Sequence, residues 1–281
     1  MKKSAKIIIV IAVVFILIGG IFFGAAYAFG EKIVDMQVND ISKDFTSGDV
    51  NRINVNGVVA NVRIFKNSGD SGSISIKAEN VIESEFKCDI SNNSLAISYN
   101  PTTVKFGFVS LPSGLLNWSK NTPVINIYIP DGKLFDEVDF TGNVGGVNIE
   151  DINSKNFTID GGVGSFTSDN MTVTGNFSIS GRVGNTDIKA AISGNTKIDG
   201  GVGSVTLSGQ ADGDMTINGG VGSITLNLSG DMNEYSFQVS RGLGGVKFNG
   251  GDIGDTPSRT TGGKYNIKIN GGVGSININI K

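Results

Sequence analysis

The feature that most constrains this chain is a short phrase written repeatedly at a fixed interval. INGGVGSITL, from Ile217 to Leu226, has close variants in IDGGVGSFTS from Ile159, IDGGVGSVTL from Ile198 and INGGVGSINI from Ile269. Aligned on the valine of GGVG, the anchors fall at Val144, Val163, Val183, Val202, Val221, Leu243 and Val273, with Val59 as a degenerate early copy. The middle spacings are 19, 20, 19 and 19 residues. Apolar residues recur six and four positions before the anchor and three and five after it, as in Met215, Ile217, Val221, Ile224 and Leu226. Thr196, Ser168 and Thr186 are exceptions. The steps are even up to the anchor and odd across it, so a flat strand would turn half of these side chains to the wrong face. The chain is therefore expected to bend just after the anchor and bring the whole apolar set, anchor included, to one side. A glycine stands at that bend in Gly145, Gly164, Gly184, Gly203, Gly222, Gly244 and Gly274, where a positive φ or a close backbone approach is available only without a Cβ.

A period near twenty residues, with short strands and glycine corners, specifies stacked coils that bury their apolar faces on one another. The expected fold is all-β, a parallel β-solenoid of 19–20 residues per coil, with an irregular sandwich or β-roll as the alternative. The expected head covers residues 51–281, with regular coils over 138–281. Between 65 and 130 the period breaks: EFKCDI and LAISY flank SNNS as a hairpin, and VINIYIP reads as a further strand. NGGDIGDTPSRTTGGK, from Asn249 to Lys264, reads as a surface insertion.

Ahead of the head, Ile7 to Phe29 carries no charge, and 23 helical residues reach about 34 Å, enough to cross a bilayer core. Lys2, Lys3 and Lys6 precede it and no acid occurs before Glu31, which places residues 1–30 as a cytoplasmic stub and transmembrane helix, 31–50 as a juxtamembrane linker and the rest outside the cell. The rival reading is a signal peptide cut after Ala28, where AYA has the small-x-small form of a cleavage site; the length of the run favours the anchor. Removing the three N-terminal lysines from 23 basic residues leaves 20 against 26 acidic ones, a net charge of −6, which argues against a nucleic-acid partner.

Composition also narrows the chemistry. With no histidine, the commonest general base and metal ligand is missing. The single Cys88 sits in an alternating run where a small apolar side chain would pack. GGVGSF resembles a calcium-binding nonapeptide, but the sixth position is Phe166, Val205, Ile224 or Ile276 rather than aspartate, and no phosphate-loop motif is present. No catalytic, cofactor-binding or metal-binding residue is assigned. Three residues before each anchor runs a polar column in which Asp160 and Asp199 stand two coils apart, roughly 9.6 Å, near the upper limit for an inverting pair of carboxylates. Turn closure by the Asn, Ser and Thr of the same column is the simpler account. The irregular apolar stretch from Pro101 to Lys120 holds Phe106, Phe108, Leu111, Leu115, Leu116 and Trp118. It reads either as a cap over the first coil or as a surface that touches a partner or the outer leaflet.

The exported anchor and VINIYIPDG leading into tandem GGVGS coils resemble the putative-adhesin, β-strand-repeat family of bacterial envelope proteins, over roughly residues 51–281. The resemblance implies a right-handed β-solenoid-like head held outside the membrane, often beside envelope-stress systems of Gram-positive bacteria. It brings no catalytic motif. The expected function is a non-enzymatic, membrane-anchored, adhesin-like module whose partner is an envelope component or envelope protein. The alternatives are a polysaccharide-acting enzyme of the envelope and a passive spacer. Clustered acids and aromatics in a cleft would favour the enzyme, and flat polar ladders would favour binding or scaffolding.

Overall fold

The computed structural model describes residues 38–67, 72–101, 103–106, 109–112, 122–240, 242–252, 258–259 and 262–281. The uncharged run 7–29 and Ala28 lie outside these, and no helix among the described residues is long and apolar enough to cross a membrane. The architecture is all-β: almost every strand belongs to one 22-stranded sheet folded into a solenoid-like, mostly parallel stack. Each coil contributes one strand before its glycine corner and one after it, as in Thr196–Asp199 and Val205–Ala211. The long strand Val147–Asp160 begins after one corner and ends before the next. Partners in neighbouring coils differ by the sequence period, Thr186 facing Val205 and Thr196 facing Met215.

The apolar positions six and four before the anchor and three and five after it fill the interior. Phe140, Phe157, Phe166 and Phe177 pack there with ring centroids 5.9–6.1 Å apart, in tilted, edge-on and stacked pairs. The exceptions Ser168, Thr186 and Thr196 are buried as well, and the hydroxyls of Thr186 and Thr196 have no hydrogen-bond partner. The anchor differs from expectation. Val163, Val183, Val202, Val221 and Val273 are 46–53 % exposed, because the bend is centred on the anchor itself and turns its side chain outward. They form a ridge of isolated parallel bridges running from Val59 to Val273.

At this ridge the coils touch through backbone alone. Gly184 N donates to Val202 O at 2.8 Å and Gly203 N to Val221 O at 2.9 Å, while Val202 N and Val221 N donate in the opposite sense to Arg182 O and Gly201 O. Gly203 has φ +132°, and a Cβ there would fall on the carbonyl oxygen of Gly184; Gly145, Gly164, Gly184, Gly222 and Gly274 repeat the arrangement. Gly244 meets the Gly274 carbonyl in the same way without a positive φ. A second ladder of the same kind, Gly175, Gly194 and Gly213, lies at the opposite turn.

The stacking order departs from chain order at both ends. The last coil, Tyr265–Asn270 and Ile276–Ile280, is inserted between two coils that are consecutive in sequence. Met215–Asn218 and Ile224–Ser229 pair with one edge of it, and Tyr235–Ser240 and Val246–Phe248 with the other. The described ends of the 249–264 insertion fold back on that outer coil, Gly251–Asp252 against Val246–Phe248 and Ser258–Arg259 against Tyr235–Ser240. At the N-terminal end Arg52–Asn56 lies between Ser94–Tyr99 and Leu134–Thr141. The segment expected as a linker, 31–50, contains the strand Asn39–Thr46, paired antiparallel with Ser73–Val81. Ile41 and Phe45 alternate onto the core there, and Lys43 Nζ donates to Cys88 O at 2.7 Å. Phe86–Ser91 and Ser94–Tyr99 form the expected hairpin, turned by Asn92 and Asn93, both with φ near +55° as a tight two-residue hairpin turn requires. Cys88 is fully buried and burial pushes its thiol up to about 12, so it packs as a small apolar side chain.

Two measurements test this packing. Gly203→Ala should lower the unfolding free energy by more than roughly 1 kcal/mol, the ordinary propensity scale, whereas Gly48→Ala, whose Cβ meets nothing within 4 Å, should stay within about 0.5 kcal/mol. Thr186→Val and Thr196→Val replace an unpartnered buried hydroxyl by a methyl and should each leave stability unchanged or raise it, by up to about 1 kcal/mol in denaturant titrations.

Candidate functional site

Because the interior takes every second side chain, the intervening ones line up on the outer surface in rows one coil apart, about 4.8 Å. Three residues before the anchor the row is a hydrogen-bonded ladder. Ser180 Oγ donates to Asp160 Oδ1 at 2.5 Å, Asn218 Nδ2 to Asp199 Oδ1 at 2.5 Å and Asn270 Nδ2 to Asn218 Oδ1 at 2.6 Å. Seven residues before the anchor an asparagine-rich row repeats the device, with Asn176 on Asn156 and Asn266 on Asp214. On the strands that follow the corners Asn279 donates to Asn227 at 2.8 Å and Asn227 to Ser208 at 3.2 Å. A shallow, open groove of about 350 Å³ crosses the first of these surfaces between Arg52, Glu137, Thr158 and Asn176.

The carboxylates of these surfaces are held in pairs that suit a fixed charge rather than a shuttled proton. The Asn218 amide, and after it Lys197 at 2.8 Å, hold the Asp199 carboxyl below its ordinary range. Lys155, at 2.6 Å, does the same for Asp136. Burial pushes Asp139 upward against a hydrogen bond from Thr141, and the nearby Glu137 and Asp160 carboxylates add to the rise. Arg182 occupies a corner position that is glycine in most coils. It is buried over the Phe166 ring at 5.7 Å and donates to the carbonyls of Gly161 and Gly164, which makes it part of the corner's framework.

The apolar stretch 101–120 is rooted at the corner line. Val59 N donates to Tyr99 O and Asn61 N to Pro123 O, so the coil made by Ser94–Tyr99 and Val124–Pro130 carries this long insertion where later coils have GGVG. Thr103–Phe106 and Val109–Pro112 pair as an antiparallel hairpin separate from the main sheet. The side chains of Phe106 and Leu111, and residues Phe108, Leu115, Leu116 and Trp118 altogether, lie outside the described residues.

Residues 50–244, more than half of the chain, match the family Toastrack DUF4097. The chain belongs to the Toastrack DUF4097 family. Among solved structures it is similar to a "putative cell adhesion protein" from Clostridium sporogenes, at 18% identity over 87% of this chain and 100% of that one, with a TM-score of 0.38. A "putative adhesin" from Bacteroides fragilis is similar at 14% identity over 86% and 98%, with a TM-score of 0.35. A "putative lipid binding protein" from Parabacteroides distasonis is similar at 17% identity over 85% and 96%, with a TM-score of 0.31. No curated protein matches the chain. The β-strand-repeat resemblance read from the sequence thus meets a family of the same kind, and the family description carries no enzymatic activity.

On this Toastrack head Asp160 and Asp199 stand in one row, Asp160 bonded to Ser180 on the coil between them and Asp199 to Asn218 on the next. Their joint replacement, Asp160→Asn plus Asp199→Asn, should leave the fold intact and lower the melting midpoint near neutral pH only slightly, since asparagine retains hydrogen-bonding atoms and loses only the half-exposed Asp199–Lys197 charge contact. The pH profile should move. The Asp199 carboxyl is held low in the folded state, so its contribution is present above the ordinary carboxylate range and is lost as pH falls through the folded value. The double variant should therefore lose less stability than wild type between about pH 5 and pH 2.

Proposed function

We propose that this Toastrack protein is a non-enzymatic, membrane-anchored, adhesin-like binding module of the cell envelope. The observation that carries the reading is the outer surface itself: repeated, mutually hydrogen-bonded amide and hydroxyl rungs on the stacked strands, with Asp136 and Asp199 paired to lysines. Such a surface offers many equivalent weak contacts at a fixed spacing, which suits an extended or repeating partner better than a single reacting bond. A catalytic pair needs two groups driven to different proton affinities around one substrate atom. The ladders instead make neighbouring groups alike.

The anchor in this reading is the uncharged run Ile7 to Phe29, with the N-terminus cytoplasmic and the head outside. Only residues 30–38 separate that run from the strand Asn39–Thr46, a reach of about 30 Å, so the N-terminal end of the solenoid would stand close to the membrane. The partner is an envelope component or envelope protein met along the flanks of the stack. Protease added to intact cells stripped of their wall should digest the chain beyond about Glu31 and leave a short membrane-embedded fragment. Release of an intact head with Phe29 as its new N-terminus would replace the anchored reading by a secreted one.

A further inference from the structure

Three separate stretches of chain, Asn61–Asn67, Ser73–Val81 and Val124–Pro130, lie side by side near the N-terminal end of the sheet that follows the corners. Val62, Ile64, Ile74, Ile76, Ile125 and Ile127 point into the core, so the alternate residues face outward. The register places Asn126 between Lys77 on one neighbouring strand and Arg63 on the other, and Tyr128 between Ser75 and Phe65. The rings of Phe65 and Tyr128 stack at 5.4 Å with 25° between their planes, and Lys77 Nζ lies 5.4 Å from the Tyr128 centroid.

Two properties of this cluster are left unanswered within the fold. Among the described residues no carboxylate lies within 4 Å of Arg63 or Lys77; Lys87, Lys133, Lys247 and Lys268 are likewise without one, but Arg63 and Lys77 flank a buried amide from two neighbouring strands. Both are exposed, on a chain whose overall charge is negative. Asn126 is only 6 % exposed; its Nδ2 donates to Glu79 Oε1 at 3.0 Å, but its Oδ1 receives no hydrogen bond. An acceptor buried without a donor is a cost, and a ligand hydroxyl that moved aside the side chains covering this oxygen would relieve it.

These groups define a ligand by its chemistry. Two cations call for oxyanions, the Asn126 oxygen for a hydroxyl, and the edge of the stacked rings for C–H surface. We propose that Arg63, Lys77 and Asn126 form a binding site for an anionic carbohydrate or polyol polymer. Arg63 and Lys77 hold its phosphodiester or carboxylate oxygens, Asn126 Oδ1 accepts from a neighbouring hydroxyl, and Phe65 and Tyr128 border its carbon skeleton. The site deepens the binding reading above by naming a ligand class. It does not depend on where the chain sits in the cell.

The test is calorimetric titration of the full-length protein in detergent with four probes: polyglycerol phosphate, polygalacturonate, inorganic polyphosphate and neutral dextran. At least one of the first two should bind, more tightly than polyphosphate, and dextran should not. Arg63→Gln with Lys77→Gln should weaken that binding about tenfold or more, since each removes a charge-assisted hydrogen bond. Lys87→Gln with Lys247→Gln makes the same change in net charge elsewhere and should stay within about twofold. Asn126→Leu should abolish the preference over polyphosphate, provided its melting midpoint matches that of wild type; if it melts early, Asn126→Asp, which keeps an acceptor and adds a repelling charge, should weaken both anionic polymers instead. The proposal is overturned if neither of the first two polymers binds, if both double variants lose affinity equally, or if polyphosphate binds as well as the hydroxylated polymers. Phosphate and carboxylate sources are separated by which of the first two polymers binds. A negative result leaves the protease outcome standing, so failure of this site and failure of the anchored reading are distinguishable.

Discussion

Everything in this head depends on how closely its coils meet at the glycine corner. Along that line each backbone amide and carbonyl bonds to the coil above or below, as with Gly203 N to Val221 O and Val202 N to Arg182 O, and no room remains for a Cβ after the anchor. A solenoid must leave its chain direction somewhere in every coil, and a turn normally exposes polar backbone that water satisfies. Here the turn is itself a ladder, so the change of direction costs no unpaired groups and each coil sets the height of the next. The price is a near-invariant residue type at one place in each period, which is why the phrase recurs.

Several other features follow from that corner. Since the bend is centred on the anchor, its valine is pushed outward and the residues before and after it share the interior. Since successive coils are held in register there, like residues stack upon like: Asn218 on Asn270, Ser223 beside Ser275, Phe157 on Phe177. The interposed last coil is a consequence of the same equivalence. Ile217 to Ile224 and Ile269 to Ile276 have one sequence, INGGVGSI, and stack directly on each other, so the last copy fits that level of the stack as well as a consecutive copy would. By returning to fill it, the chain pins its own C-terminus, with Gly230 N donating to Lys281 O at 3.0 Å and Lys281 N to Leu228 O at 3.0 Å. The outermost strands are then partly covered by the folded-back insertion, which blunts an edge that would otherwise invite pairing with another chain.

How much of this was legible in the amino-acid order depends on whether the information is local. The period, the glycine bend, the Phe86–Tyr99 hairpin and the strand at Val124–Pro130 are signalled by residues near one another, and they appear as read. The outward turn of the anchor was not legible, because an apolar residue in a repeating pattern looks like core, and only the exact centre of the bend tells inside from outside. The ladder of Gly175, Gly194 and Gly213 occurs in three coils only and was masked by glycine's general abundance, although Thr-Gly-Asn, Ser-Gly-Asn and Asp-Gly-Asp at a constant offset from the anchor would have shown it. Asn39–Thr46 was missed because its alternation is half charged. The cluster of Arg63, Lys77 and Asn126 lay beyond reach for a different reason: strands 61–67 and 124–130 are parallel neighbours despite more than fifty intervening residues, and no periodicity spans that distance.

The same geometry bears on the kind of work such a surface can do. In a register-locked stack, any outward residue acquires neighbours chosen by the period, so a carboxylate at one level meets an amide, hydroxyl or ammonium from the same column or from its own strand. Asp160 meets Ser180, Asp199 meets Asn218 and Lys197, and Asp136 meets Lys155. Regularity thus supplies each of these carboxylates with a fixed hydrogen-bonding partner, which opposes the asymmetric environments that proton transfer requires. The N-terminal end, built from antiparallel additions and an inserted corner, is the least regular part of the head. Two cations with no carboxylate partner among the described residues and an unanswered amide oxygen occur there together. Recognition in a protein of this type is therefore expected to concentrate where the solenoid is interrupted, while the regular coils serve to hold that end rigid and to extend the surface a long ligand can follow.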